Sequence, residues 1–356
     1  LQLVELVEDA RSRYPGLSDM HLDPGVAPTY IVDNRQLWDQ HAAPIDIDLL
    51  GRMVRQPGTL SEFARRRLED DRECDLGYQL HDGSRCRVHV MMMGEGAYAA
   101  TIRILPSRVL AFEKTGLPRE LLELLDAPQG LIIFSGPVGS GKTTALHSML
   151  DDRNIRGPAC HIYTIEDPIE YIHREEDRRF ALFHQRELGT SARSYPIAIS
   201  GSLRIRPNIL VIGEARDLDT MEALLIASQV GRLAMTTTHS HDTYQTIKRI
   251  TSMFGERYDE ALENLKSVLL AIVNLRLVPM KHGGVVTACE IMRMTPAIRN
   301  LIDKPLQIHG ELSKEPGCRT LEDDLVRLYR EGAIDRESAI AYANSNRLDY
   351  IKGKLG

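Results

Sequence analysis

Residues 131–150 read LIIFSGPVGSGKTTALHSML, and their reading decides the fold. An apolar run leads into a glycine-rich turn, and an amphipathic segment follows it. Gly136, Gly141, Lys142 and Thr143 fit G-x-x-x-x-G-K-[ST], with Gly139 as an extra glycine. Each residue type has a reason. Glycines let the backbone curl so that successive N–H groups point at one anion. A helix starting near Lys142 adds the positive end of its dipole. Lys142 is placed to reach the β- and γ-phosphates of a nucleotide, and Thr143 to hold Mg²⁺. The motif by itself says only that a nucleotide binds. No N-K-x-D guanine-reading motif occurs, and no short Arg-rich lid follows the third strand, so ATP is favoured.

Outward from this motif, apolar segments alternate with helical ones. Leu131–Phe134, His161–Ile165, Ile209–Ile212, Leu233–Thr237 and Val285–Ile291 read as strands of a mostly parallel sheet covered by helices on both faces. In such a sheet the carboxyl ends of the strands face the ligand crevice. One strand ends in Glu166 and Asp167, where Pro168 stops it, and another in Gly213 and Glu214. A carboxylate there can align a water and take its proton, or hold Mg²⁺ through water. A single acid at a strand end is as readily a solvated loop charge; two behind one phosphate loop make that reading much weaker. A third strand, Arg232–Ser240, ends in His239, which alone would read as a packed loop histidine and here is placed to sense the γ-phosphate.

Residues 1–104 read as a separate α+β unit. A helix carries Leu3, Leu6, Val7 and Ala10; Ile31–Val32 is a short strand; Leu49–Leu68 has helical periodicity. Leu76–Leu80, Arg85–Met92 and Ala97–Leu105 follow as strands, with Asp82-Gly83 and Gly94–Gly96 as turns and Met91, Met92 and Met93 as strand packing. Arg65-Arg66-Arg67, followed by Glu69, Asp70 and Asp71, reads as a solvated helix face rather than a binding patch. Residues 105–118, with Pro at each end, read as a linker, and 119–356 as the nucleotide domain. The net charge of −6 argues against an obligate nucleic-acid binder. Five cysteines without a CxxC pair read as reduced thiols packed for structure in a cytosolic protein. No apolar run approaches the roughly 18–20 residues of a membrane span, and the first residues lack the basic start of a signal peptide.

Together these segments resemble the secretion-ATPase superfamily of type II and type IV systems. Four boxes stand in that family's order: Gly136–Thr143 with Thr144, the acidic box Thr164–His173, the atypical Walker B box Ile209–Glu214 with Arg216 and Asp217, and a box centred on His239. Gln185-Arg186-Glu187 matches a further family segment. Ser18–Leu22 and Thr295–Ile302 are most similar to the PilT retraction branch; the latter also reads as an amphipathic helix with Ile298, Leu301 and Ile302 on one face. Departures from that branch, such as Ser200 in place of an arginine and one extra residue between Arg87 and Arg103, also fit the DotB- and TraJ-like ATPases.

The resemblance implies an N-terminal PAS-like domain, a C-terminal RecA-like P-loop domain and a homo-hexameric ring. It implies Mg²⁺-dependent ATP hydrolysis at the inner face of the bacterial inner membrane. There the ring would meet platform or secretion-channel proteins, with membrane association only through them and without stable nucleic acid. The nucleotide set it implies is Gly136, Pro137, Val138, Gly139, Ser140, Gly141, Lys142, Thr143 and Thr144. Glu214 matches the catalytic glutamate, Glu166 an essential acid, and Arg87 and Arg103 arginines that reach the nucleotide. Asp167 and Glu214 are the acids placed to meet Mg²⁺ through water. The rival readings are a RecA-like nucleic-acid motor and a non-hydrolysing scaffold.

Overall fold

The computed structural model describes residues 3–33, 35–38, 42, 44–46, 50–52, 62–173 and 180–356. The chain divides into two compact units. The first holds Leu1–Val109, Ile165–Ile172 and Gln185–Ser194; the second holds Leu110–Thr164, His173–His184 and Tyr195–Gly356.

The first unit is an α+β structure. Helix α1 (Leu3–Arg13) buries Leu3, Val7 and Ala10, the stripe its 3.6-residue spacing predicts. Strands β1 (Leu17–Leu22), β2 (Thr29–Val32), β3 (Arg35–Trp38), β4 (Glu73–Gln79), β5 (Arg85–Met92) and β6 (Tyr98–Ile104) form a sheet in the order β3-β2-β1-β6-β5-β4. All its pairings are antiparallel. β5 alternates cleanly: Cys86, Val88 and Val90 face the core, and Arg85, Arg87 and His89 face away. The core also takes Met20, Tyr30, Leu68 and Ile102. Met93 departs from expectation: it lies past the end of β5 and is exposed, while Met91 and Met92 are half-buried.

Of the predicted helix Leu49–Leu68, residues 49 and 53–61 lie outside the described residues. Of the described part, residues 50–52 are helical and 62–68 belong to α2 (Glu62–Asp70). Its arginines are a solvated face as expected, Arg66 pairing with Glu62 at 2.5 Å and Arg67 with Asp71 at 3.6 Å. β1 and β3 were not predicted. β1 coincides with the SDMHL segment, whose burial spacing is too irregular to announce a strand.

The second unit is built on a sheet in the order β13-β12-β7-β11-β10-β8-β9. Its strands are β7 (Gly130–Ser135), β8 (Cys160–Glu166), β9 (Ala181–Glu187), β10 (Ile209–Ile212), β11 (Leu233–Thr238), β12 (Leu269–Pro279) and β13 (Val285–Arg293). β10, β11, β7 and β12 run parallel, and β13 returns antiparallel to β12. β7, β10 and β11 are buried at every position, as parallel strands covered on both faces must be. The crossover helices are α3 (Lys142–Arg156), α4 (Tyr195–Ile205), α5 (Leu218–Gln229), α6 (Thr243–Ser252) and α7 (Tyr258–Val268). Phe134, Leu146, Met149, Val211, Met235, Val273 and Leu275 share one core, which Phe112 and Leu117 join from the proline-flanked stretch.

Five more helices close the chain: α8 (Pro296–Arg299), α9 (Pro305–Leu312), α10 (Leu321–Arg330), α11 (Arg336–Ala341) and α12 (Leu348–Lys354). Thr295–Ile302 is helical over only four residues. Thr295 caps that turn by accepting from Ile298 N, and Ile298 and Ile302 are buried. α10, α11 and α12 enclose a separate core of Leu321, Leu325, Ala339 and Ile351 around Val278.

The five cysteines are free thiols. Burial pushes the Cys74 and Cys86 thiols up to about 11. No helix among the described residues is long and apolar enough to cross a membrane.

Candidate functional site

β7 delivers the chain to Gly136, and α3 carries it away from Gly141. Gly136 has φ of 144° and Gly141 a φ of 88°, backbone that a side chain makes costly. Gly136 has a second constraint: a Cβ there would stand 2.4 Å from the Leu275 carbonyl oxygen. The backbone therefore curls as the motif requires. α3 starts at Lys142, so its unpaired N–H groups open toward the curl. Pro137, Val138 and Gly139 are exposed at the tip; Ser140 is buried, with a hydroxyl that meets no partner among the described residues. Thr143 and Thr144 are half-buried in the first turn of α3.

Lys142 is only 7% exposed. Its Nζ donates to the carbonyls of Gly136 at 2.9 Å and Pro137 at 2.7 Å, and lies 3.3 Å from His239 Nδ1. β11 runs beside β7, with Thr238 opposite Ser135, and this register brings His239 to the lysine. On the other side of the ring, His239 Nε2 is 3.3 Å from Glu214 Oε1. Glu214 Oε2 is 2.7 Å from Arg216. Thr237 donates its hydroxyl to Gly213 O at 2.6 Å, which fixes the turn that carries Glu214. Lysine, histidine, glutamate and arginine thus stand in one line beside the phosphate loop. The ammonium can only donate, so with Lys142 as its partner Nδ1 accepts and Nε2–H faces the carboxylate. Nδ1 also lies 3.3 Å from Gly136 O, a contact open to it when protonated.

The remaining predicted residues belong to the first unit. Glu166 ends β8, is 3% exposed, and accepts from Gln185 Nε2 at 3.2 Å. Asp167 follows it, half-buried, before Pro168. Arg87 donates to Asp75 across β4 and β5 at 3.1 Å, and Arg103 to Asp19 across β6 and β1 at 2.7 Å. Burial would raise the Asp75 carboxyl, but Arg87 and His89 hold it below its ordinary value.

Several polar contacts were not foreseen from the sequence. Glu187 takes Arg85 at 2.5 Å in a largely buried ion pair and accepts Ile169 N at 3.0 Å. Gly77 leaves the room for this pair, since a Cβ there would sit 1.9 Å from Arg85 Nη2. Asn274, Arg276 and Glu290 are buried or half-buried on β12 and β13. The signal for the first two was present: an asparagine and an arginine two residues apart inside the apolar run LLAIVNLRLVP, hence on one face of a strand.

Comparison with known proteins gives the family. The family described as "Type II/IV secretion system protein" matches residues 52–328. The type IV pilus retraction ATPase PilT of Pseudomonas aeruginosa is 33% identical over 346 residues, 95% of this chain and 97% of the relative. The crystal structure of the pilus retraction motor PilT with bound ADP superposes with a TM-score of 0.84 at 32% identity, covering 98% of this chain and 99% of that one. The Legionella pneumophila ATPase DotB shares the fold, with a TM-score of 0.82 at 22% identity over 97% of both chains. The expected fold class holds: a RecA-like P-loop sheet with a smaller N-terminal α+β domain. The chain belongs to the type II/IV secretion system protein family.

Proposed function

We propose that this chain is an ATPase that powers pilus retraction or type IV secretion or conjugative transfer as a ring of six copies. Residues 1–104 would form the N-terminal domain and 119–356 the ATPase domain. The ring would work at the cytoplasmic face of the bacterial inner membrane, against platform or channel proteins and without stable nucleic acid. The observation that carries this reading is the line Lys142–His239–Glu214 at the phosphate loop.

Lys142 is held by two neutral carbonyls of its own loop. Phosphate oxygens are stronger acceptors for an ammonium, so a triphosphate draws Lys142 from those carbonyls onto its β- and γ-oxygens. The loop N–H groups and the start of α3 hold the same anion. Glu214 aligns the attacking water and takes its proton as the water oxygen bonds the γ-phosphorus and the bond to the bridging oxygen breaks. His239, between Lys142 and Glu214, couples the cation at the phosphate to the base. Thr143 would hold Mg²⁺, with Asp167 and Glu214 meeting it through water. When bound, the ion would supply positive charge against the phosphates. Glu166 is a second acid for the same step, and Arg87 and Arg103 would add charge at the γ-phosphate.

The test is steady-state Mg-ATP hydrolysis by the wild type beside Glu214→Gln. General-base loss predicts a fall in kcat of about 10²–10³-fold with nucleotide binding retained. Hydrolysis that survives the change removes Glu214 from the chemistry. Absence of hydrolysis in both proteins supports the scaffold reading.

A further inference from the structure

His239 sits on a turn whose own backbone has to be held still. β12 does this with two side chains on one face. Asn274, fully buried, donates from Nδ2 to Ser135 Oγ at 2.9 Å and to Ser240 O at 3.1 Å. The second partner is a carbonyl, which only accepts, so the amide orientation is fixed. Ser135 is the last residue of β7 before the phosphate loop, and Ser240 the first after His239. Two positions along, Arg276 donates from Nη2 to His241 O at 3.0 Å and to Asn344 Oδ1 at 2.5 Å, and from Nη1 to Tyr342 O at 2.5 Å. Tyr342 and Asn344 lie between α11 and α12, in the C-terminal helical layer. The next residues are pinned as well: Asp242 caps α6 by accepting from Gln245 N at 2.6 Å, and Thr243 donates from N and Oγ1 to the buried Glu290.

Ser240 and His241 thus each give their carbonyl to a β12 side chain, and the same guanidinium binds the C-terminal helices. Arg276 has Glu290, Glu322 and Asp242 around it to balance its charge in a buried setting. A planar fork with several donors suits this task, because it joins two segments in one fixed geometry.

We propose that Arg276 is a positioning residue that ties the C-terminal helices α11 and α12 to the His239 turn, so that strain or docking at those helices is transmitted to the Lys142–His239–Glu214 line. Asn274 sets the same turn against the phosphate loop. The proposal rests on the reading of that line as an ATPase site.

The test uses the full chain with Arg276→Ala, Arg276→Lys and Asn344→Ala, the last removing the side-chain acceptor on the C-terminal side and leaving the Tyr342 carbonyl. Displacing a reacting group by a fraction of an ångström costs roughly tenfold in rate, so kcat in Arg276→Ala is expected to fall about tenfold with KM within about twofold. Arg276→Lys should recover part of the loss, and Asn344→Ala should lower kcat by about two- to threefold. The ring-nitrogen NMR signals of His239 should shift in Arg276→Ala and in Asn344→Ala. Unchanged kcat with an unmoved His239 signal in both variants overturns the proposal. So does a fall that appears in KM alone. If Arg276→Ala does not fold, Asn344→Ala carries the same test. If the wild type binds no nucleotide, the ATPase reading fails, while the His239 signal still decides whether Arg276 holds the turn.

Discussion

The chain keeps its arginines in two opposite settings. On the six-stranded sheet, Arg87 and Arg103 each rest on one carboxylate of a neighbouring strand, with side chains 37% and 63% exposed. On the seven-stranded sheet, Arg276 lies against three oxygens from two different segments and is half-buried. An exposed ion pair is screened and weak, about 0–1 kcal/mol. An arginine in such a pair can leave its partner for a stronger anion at little cost. A guanidinium that bridges several oxygens of two segments cannot leave without breaking all of those bonds at once. In the proposed site the first kind would travel to a phosphate and the second would hold.

The largest expected effect tests the phosphate loop itself. Lys142→Ala removes the cation that the phosphate loop itself carries and should weaken nucleotide binding by about 10²-fold, measured by titration of a fluorescent ATP analogue. Unchanged affinity would overturn the assignment of the loop. Next comes Arg87→Ala. A finger acts on the transition state, so kcat should fall by about 10²-fold while the affinity for ATP stays within a few-fold. Arg276→Ala is expected to move kcat by only about tenfold, because it acts through His239. If Arg87→Ala and Arg276→Ala gave the same profile, the division into travelling and holding arginines would collapse.

A fourth variant tests the buried pair that lies between these extremes. Gly77→Ala puts a Cβ where Arg85 Nη2 now stands, so Arg85 must swing away from Glu187. The chain gains a better strand residue but loses a pair whose side chains are 13% and 11% exposed. Expected destabilisation is about 1–3 kcal/mol, seen as a lower Tm. An unchanged Tm would mean that Arg85 finds an equal partner elsewhere.

What could be read from the sequence divides along the same line. Residues that touch the nucleotide in the proposed site form short, contiguous and chemically unusual stretches: glycines, a lysine and threonines within nine positions, and acids just past apolar strands. β10 and β5 were read to the residue, because continuous burial and strict alternation each leave a plain pattern. The holding residues are separated by tens to more than a hundred positions. Asn274 meets Ser135 and Ser240 only because β12 pairs with β7, and such pairings are set by the whole sheet. β1 was missed for the reverse reason: its identity as a strand comes from the two strands beside it rather than from its own pattern.

The smallest effect is also the most direct probe of whether Arg87 travels. Asp75 is held below its ordinary value by Arg87 and His89, against the upward push of burial. A carboxyl with a lowered folded-state value stabilises the fold above its unfolded value of about 3.9 and loses that contribution as pH falls through the folded one. The Asp75 side-chain carbon, followed by NMR, therefore reports on its partner. In Arg87→Ala its titration should move upward, and the acid side of the stability profile should begin at higher pH. Adding a non-hydrolysable ATP analogue to the wild type should move the same titration in the same direction if Arg87 leaves Asp75 for the phosphates. His89 also faces Asp75, at 3.4 Å, and stays behind, so the shift on nucleotide addition should be no larger than in Arg87→Ala. A titration that nucleotide leaves untouched would keep Arg87 on its strand, and the charge at the γ-phosphate would then have to come from Lys142, Arg103 and the proposed Mg²⁺.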